Sequence, residues 1–121
     1  MKMLSGSCLC GIIKFQILET PSMVANCHCR MCQKQHGAPF ATYLTFKKEN
    51  LIFIAGHDKL HSYNSSSTIL RKFCSNCGSN IEWSGHPEYQ DWVSVPATLL
   101  DAAFEPTEVG NYYIESKCSW V

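Results

Sequence analysis

Eight cysteines in 121 residues, and the way they are spaced, constrain this chain more than any other feature. Seven of them form a C-x-C, a C-x-C-x-x-C and a C-x-x-C group, at Cys8, Cys10, Cys27, Cys29, Cys32, Cys74 and Cys77. Thiolates two or three positions apart can reach one ion at zinc–sulfur distances of about 2.3 Å. The two thiols of a C-x-C, by contrast, do not readily meet the geometry of a disulfide. The spacing therefore favours metal binding over a disulfide framework.

The composition is that of an ordinary globular protein, with 45% apolar and 17% charged residues. The opening sequence MKMLSGSCLCG has too short an apolar stretch for a secretory signal, and no apolar run approaches the roughly 18 residues of a membrane span. We therefore expect a single domain over residues 1–121, located in the cytoplasm with reduced thiols. Ten Lys and Arg balance ten Asp and Glu, which disfavours nucleic acid as a partner.

Short segments rich in aromatic and β-branched residues predict a mainly β fold. They are bounded by Gly, Pro, Asn, Asp or Ser and recur at about ten-residue spacing. The predicted strands lie within residues 11–20, 40–46, 51–56, 59–64, 69–74, 80–85, 91–99 and 110–116. Only RMCQKQH at 30–36 has the composition of a helical turn, and the serines at 65–67 are expected at a hairpin tip.

Large aromatic side chains are the expected source of the hydrophobic core, because a small β domain needs their area. The residues predicted to be core are Phe40, Phe46, Phe53, Phe73, Trp83, Trp92 and Trp120.

The C-x-x-C pair, Cys74 and Cys77, is followed by Gly78, which tolerates positive φ and lets backbone N–H groups turn towards the sulfurs. Such a pair supplies two metal ligands and needs two more. Cys8 and Cys10 can supply them, because a C-x-C on a strand places both side chains on one face. These four cysteines are predicted to form a closed, structural zinc site. The alternative is that Cys8 and Cys10 are small buried residues of a strand.

Cys27, Cys29 and Cys32 remain as a separate group of three. Three protein ligands and an open fourth position are typical of a reactive zinc. Three thiolates leave a divalent ion with a net negative charge, which weakens it as an electrophile for hydrolysis but suits it to holding a further, nucleophilic thiolate. The group is therefore predicted to bind a small thiol whose sulfur attacks carbon.

Several residues near the triplet have two interpretations each. His28, between two ligands, is predicted to point away from the metal, either as a hydrogen-bond donor behind it or as a packing residue. For His36 we favour a position facing solvent over a role as fourth ligand or proton acceptor. Arg30 and Lys34 are either solvated charges or attract an anionic thiol. Cys118 is either unpaired or an eighth ligand.

The motifs GSCLCG, CHCRMCQKQHGAPF, RKFCSNCGSNI and ESKCSWV occur in an order and spacing that resembles the glutathione-dependent formaldehyde-activating enzyme family, which includes the centromere protein V domain. The resemblance covers residues 4–121 and implies a mostly β, tent-like fold of small sheets pinned by zinc. It implies two zinc ions, one structural and one reactive, on Cys8, Cys10, Cys74 and Cys77 and on Cys27, Cys29 and Cys32 respectively.

The activity that the resemblance implies is addition of glutathione to formaldehyde, which gives S-hydroxymethylglutathione and is classed as a carbon–sulfur lyase reaction. The partners would then be a small thiol such as glutathione and an aldehyde. Two other functions stay open. One is a non-catalytic, zinc-stabilised interaction module. The other is a redox sensor in which Cys27, Cys29 and Cys32 release zinc and form disulfides on oxidation.

Overall fold

Ten strands in two sheets make up most of the regular secondary structure in this computed structural model, which describes residues 3–121. The strands are β1 (Leu4–Ser7), β2 (Lys14–Ile17), β3 (Met23–Cys27), β4 (Ala41–Lys47), β5 (Leu51–Ala55), β6 (Leu60–Asn64), β7 (Leu70–Cys74), β8 (Asn80–Ser84), β9 (Trp92–Pro96) and β10 (Gly110–Tyr112). The described chain has one α-helix, α1 (Arg30–His36), and four short 3₁₀ turns. The prediction of a mainly β fold is confirmed.

The smaller sheet has the strand order β1-β2-β5, and the larger has the order β10-β3-β4-β9-β8-β7-β6. All pairs are antiparallel except β10 with β3, which run parallel and place Tyr112 opposite Cys27. This one parallel pair brings the C-terminal part of the chain beside the first cysteine of the triplet.

The main core lies between the two sheets. In β2 the side chains alternate, with Phe15 and Ile17 buried and Lys14 exposed, as expected for a strand with one face towards a core. The buried residues of this core are Phe15, Ile17, Leu44, Phe46, Val93 and Val95. Full burial of one such side chain contributes about 1.5–3 kcal/mol to folding, so this cluster joins the sheets firmly.

Most of the local predictions hold. Each of the eight predicted segments contains a strand, and the helical turn at 30–36 has the bounds of α1. The tip at 65–67 joins β6 to β7, which pair with Asn64 opposite Leu70. Two strands, β1 and β3, were missed, because their sequences LSGS and MVANC have little of the β-branched and aromatic content that marks a strand. No helix among residues 3–121 has the length and apolar character to cross a bilayer.

The aromatic core prediction is right for Phe46, which is fully buried, and wrong for Trp120, which is 75% exposed. Trp120 lies in a turn closed by the backbone bond from the N–H of Val121 to the carbonyl of Cys118, beyond the last strand, where no sheet covers it. The other five are half-buried: Phe40, Phe53, Phe73, Trp83 and Trp92.

Candidate metal centres

Four cysteines meet where a turn of the small sheet faces a turn of the large one. Cys8 and Cys10 lie in the β1–β2 turn, and Cys74 and Cys77 lie at the β7–β8 turn. The four sulfurs are within 4.8 Å of one another, with 3.5 Å between Cys8 and Cys10 and 3.9 Å between Cys10 and Cys74. Sulfurs on a tetrahedral zinc are about 3.8 Å apart, so the group fits a closed four-thiolate site.

The expected strand position of Cys8 and Cys10 is wrong. The strand β1 ends at Ser7, and the two cysteines belong to a tight turn in which the N–H of Gly11 donates to the carbonyl of Cys8 at 3.0 Å. Gly11 has φ of 80°, which glycine adopts without strain. The turn, and not the alternation of a strand, directs both sulfurs to the same point.

Hydrogen bonds connect the β1–β2 turn to the β7–β8 turn, and some of them are made to the cysteine sulfurs. The N–H of Leu9 donates to the Ser79 hydroxyl at 2.9 Å, and that hydroxyl is 3.2 Å from the sulfur of Cys77. Ser79, through its hydroxyl and its backbone, lowers the pKa of Cys77 to about 5. Burial raises the pKa of Cys74 to about 11. The N–H of Ile13 donates to the sulfur of Cys8 at 3.3 Å. The cluster thus joins the two sheets beside their main core, because Phe53 and Leu99 pack against both.

The cysteine triplet lies at the junction of β3 and α1. Cys27 is the last residue of β3, Cys29 is the N-cap of α1, and Cys32 is in its first turn. The sulfurs of Cys32 and Cys27 are 3.4 Å apart, and all three sulfurs lie within 4.8 Å of one another. Cys32 is buried, while Cys27 and Cys29 are half-buried. Three converging thiols, two of them within reach of solvent, can hold one metal ion with a fourth position left for a ligand.

The helix α1 has well-defined ends. Cys29 is extended, with φ −64° and ψ 152°, and its sulfur accepts the N–H of Cys32 at 3.3 Å. Gly37 ends the helix in the left-handed region, with φ of 60°. Between them the buried Gln33 donates its amide to the carbonyls of His28, at 2.9 Å, and Ser116, at 3.0 Å. The triplet loop is therefore fastened to the C-terminal segment.

The side chain of His28 lies away from the three sulfurs, as expected. It is buried, its Nε2 is 3.0 Å from the Asn111 side-chain oxygen, and its ring packs on Phe40 at 5.0 Å. Because the same oxygen accepts the amide N–H of Asn26 at 3.3 Å, His28 is the donor in its own bond. The His28 side chain therefore ties the triplet loop to Asn111, on the side away from the sulfurs.

The expectation that His36 faces solvent is wrong. It is half-buried, and its Nε2 is 3.0 Å from the hydroxyl of Tyr43. Burial lowers the pKa of His36 and raises that of Tyr43, so both are neutral near pH 7. Tyr43 packs in one cluster with Cys32, whereas His36 is not among the residues brought together with the three sulfurs. Tyr43 was not singled out from the sequence, because it has no motif and lies on a separate strand.

The other flanking residues have simpler positions. Arg30 and Lys34 are exposed. Cys118 is half-buried and belongs to neither cysteine group in the described part of the chain. Arg71, which sequence reasoning also missed, is buried on β7, and its guanidinium nitrogen Nη1 is 3.7 Å from the sulfur of Cys32.

Metal binding at the triplet is expected to strengthen as pH rises. The Cys32 thiol donates to the sulfur of Cys27, which raises the pKa of Cys32, together with burial, and lowers that of Cys27. A metal must displace the Cys32 proton, so the apparent affinity should rise roughly tenfold per pH unit for each proton released. Competition with a chromogenic chelator between pH 6 and 8 measures this, and an affinity independent of pH would contradict it.

Comparisons with known proteins show which family the chain resembles. A family model described as "Glutathione-dependent formaldehyde-activating enzyme" matches residues 3–116. A Schizosaccharomyces pombe protein named as an uncharacterized lyase is 32% identical over 77 residues, which is 63% of this chain and 53% of that protein. An Aspergillus terreus protein, "Putative glutathione-dependent formaldehyde-activating enzyme", is 33% identical over 76 residues, 61% of this chain and 40% of that protein.

A crystal structure of a Rhodobacter sphaeroides protein superposes with a TM-score of 0.71 at 21% identity, covering 89% of this chain and 99% of that one, and shows the shared fold. The chain spans about half or less of the length of these curated relatives. The family model, however, matches nearly all of the described residues. The chain belongs to the glutathione-dependent formaldehyde-activating enzyme family.

Proposed function

We propose that this protein is a zinc-dependent enzyme of the carbon–sulfur lyase type, which adds glutathione to formaldehyde. The observation that carries the proposal is the open triplet. Cys27, Cys29 and Cys32 converge, and no fourth Cys, His, Asp or Glu among residues 3–121 joins them. The name of the family and that of the Aspergillus terreus relative support the choice of substrates.

The four-thiolate and three-thiolate groups suit different roles. In the first group, Cys8, Cys10, Cys74 and Cys77 fill all four corners of a tetrahedron, so an ion there would be structural. In the second, the protein supplies three corners. Thiolate ligands select soft or borderline metals, and zinc is the one that prefers tetrahedral all-sulfur sites without redox change. We therefore assign two zinc ions per chain.

The two substrates together supply every atom of the product. When bound, a zinc ion at the triplet would hold a substrate thiol as its thiolate near neutral pH. The sulfur–carbon bond forms, the carbonyl π bond breaks, and the proton that the thiol has lost ends on the former carbonyl oxygen. No oxidant is needed. The chain contributes the position of Cys27, Cys29 and Cys32, which the β3 end and the capped start of α1 fix against each other.

Isotope-labelled formaldehyde tests the proposal directly. Glutathione and formaldehyde combine without a catalyst, so the enzyme should speed exchange between free and bound formaldehyde without changing the equilibrium position. The rate is measured by exchange NMR with zinc-loaded protein. A matched control is Cys118→Ser, which changes a cysteine outside both clusters and should keep the wild-type rate. Exchange no faster than in buffer would contradict the proposal.

A zinc-stabilised interaction module is the second candidate, and one observation favours it. A concavity of about 640 Å³ lies between the sheets, lined by residues such as Phe53, Leu70 and Lys72, and none of its lining residues is a cysteine. Glutathione added to Co²⁺-loaded protein separates the two functions. An enzyme should show a changed cobalt–thiolate absorption, because the thiol enters the metal's open position, whereas a module should show no change.

A further inference from the structure

Arg71 is a buried cation that has no carboxylate partner among residues 3–121. Its side chain is 5% exposed. The guanidinium donates from Nη1 to Gln35 Oε1 at 2.8 Å and from Nε to the Ser65 hydroxyl at 3.0 Å, and Nη1 lies 3.7 Å from the sulfur of Cys32. The only ion pair between side chains of residues 3–121 is that of Lys72 with Glu82, so no acid in this range compensates the charge of Arg71.

Such a charge is unfavourable unless an anion compensates it. Removing a guanidinium from water is costly, and the neutral oxygens of Gln35 and Ser65 satisfy its hydrogen bonds without cancelling its charge. Among residues 3–121, the sulfur of Cys32 is the one hydrogen-bond partner of the Arg71 guanidinium that can carry a negative charge. The cation therefore has a partner only when the triplet is a thiolate cluster.

The strand β7 explains why this residue reaches the triplet. Arg71 and Lys72 are consecutive in β7 and so point to opposite faces of the sheet. Lys72 lines the concavity between the sheets and pairs with Glu82. Arg71 points to the other face, where its bond to Gln35 joins it to α1.

We propose that Arg71 is the counter-ion of the metal–thiolate cluster at the triplet, a positioning residue whose positive charge favours retention of the ion and entry of a fourth, anionic thiolate. This deepens the proposed function and rests on it for the identity of that thiolate. Three thiolates on a divalent ion carry one net negative charge, which one guanidinium matches. A substrate thiolate adds a second, and a cation in contact with the cluster lowers the repulsion that it meets.

Metal affinity tests the inference without any reference to activity. Arg71→Gln removes the charge but can still donate hydrogen bonds, and Arg71→Lys keeps the charge without the planar fork. We expect Arg71→Gln to weaken Zn²⁺ binding at the triplet by about 10- to 100-fold, as loss of a partner of metal ligands commonly does. Arg71→Lys should lie closer to the wild type. The readout is zinc competition with a chromogenic chelator, in which the two sites are resolved as two steps.

Lys34→Gln is the matched control. It removes the same charge from an exposed position two residues after Cys32, where solvent screens it, and should leave both zinc affinities unchanged. Retention of the four-cysteine zinc shows that each variant is folded. Wild-type affinity in Arg71→Gln would overturn the inference, as would equal weakening in Arg71→Gln and Arg71→Lys, since the charge would then be irrelevant.

The enzymatic function and the counter-ion role of Arg71 can be refuted independently of each other. A wild-type protein that does not speed glutathione–formaldehyde exchange refutes the enzymatic assignment, while the zinc affinities of the Arg71 variants still decide the counter-ion role. If both hold, Arg71→Gln should also bind glutathione more weakly at the Co²⁺-loaded triplet, which a purely structural role for Arg71 would not produce.

Discussion

Replacing Cys74 by alanine should abolish the cooperative fold together with the binding of one of the two zinc ions that we propose. Cys74 has no solvent exposure and packs with Cys8, Ile13 and Ile81 where the two sheets meet. Structural zinc sites have apparent binding energies of about 10–16 kcal/mol, and domains of this kind have net stabilities of about 5–15 kcal/mol. The loss of one of four ligands should therefore lower the free energy of unfolding to zero or below.

Circular dichroism during heating and zinc analysis of the purified protein measure this effect. Cys118→Ala is the matched control, because Cys118 is half-buried and outside both clusters, and it should melt as the wild type does. Stripping both ions from the wild type with a strong chelator should unfold it as well. A Cys74→Ala protein that still holds two ions and melts at the wild-type temperature would show that this cluster is not a metal site.

Replacing Cys29 by serine should abolish activity but leave the stability of the fold almost unchanged, in contrast to Cys74→Ala. Serine is a strong N-cap residue, so its hydroxyl can accept the Cys32 N–H that the Cys29 sulfur now accepts, and α1 should begin at the same place. The ion at the triplet, however, would lose one of three protein ligands. We expect zinc content to fall from two ions to one, and formaldehyde exchange to fall to the rate in buffer.

Zinc analysis, melting temperature and exchange NMR on one sample of Cys29→Ser check all three parts of this result. The comparison with Cys74→Ala is informative, because both variants lose one ion but only one should unfold. A Cys29→Ser protein that still binds two ions, or that keeps full activity, would show that Cys29 is not needed as a metal ligand for the reaction.

The cysteine groups could be read from the sequence because their spacing is local. Within a C-x-C, a C-x-x-C or a C-x-C-x-x-C the chain itself brings the sulfurs together, whatever the rest of the fold does. Pairing of distant groups followed from counting ligands, and the turns that carry Cys10 and Cys74 do place their sulfurs 3.9 Å apart. The strand segments were equally local, through composition and turn residues.

What the sequence did not reveal depends on pairing between distant strands. The position of Arg71 beside Cys32 needs both the register of β7 and the placement of α1 on the sheet, and no spacing rule contains either. The parallel pairing of β10 with β3 and the exposure of Trp120 have the same origin. The expected location in the cytoplasm and the single domain over residues 1–121 stay predictions.

The triplet loop is fastened to Tyr112 and Ser116, so its frame cannot be complete before those residues have been synthesised. The four-cysteine cluster is complete in sequence at Cys77, so its two turns can meet once that part of the chain has left the ribosome. The triplet lies earlier in the chain, yet its loop is held through His28 and Gln33 by the carbonyls of Tyr112 and Ser116, which emerge later than Cys77. A nascent chain can therefore bring its four-cysteine group together, and bind the structural ion that we propose for it, before the loop of the triplet has a rigid frame.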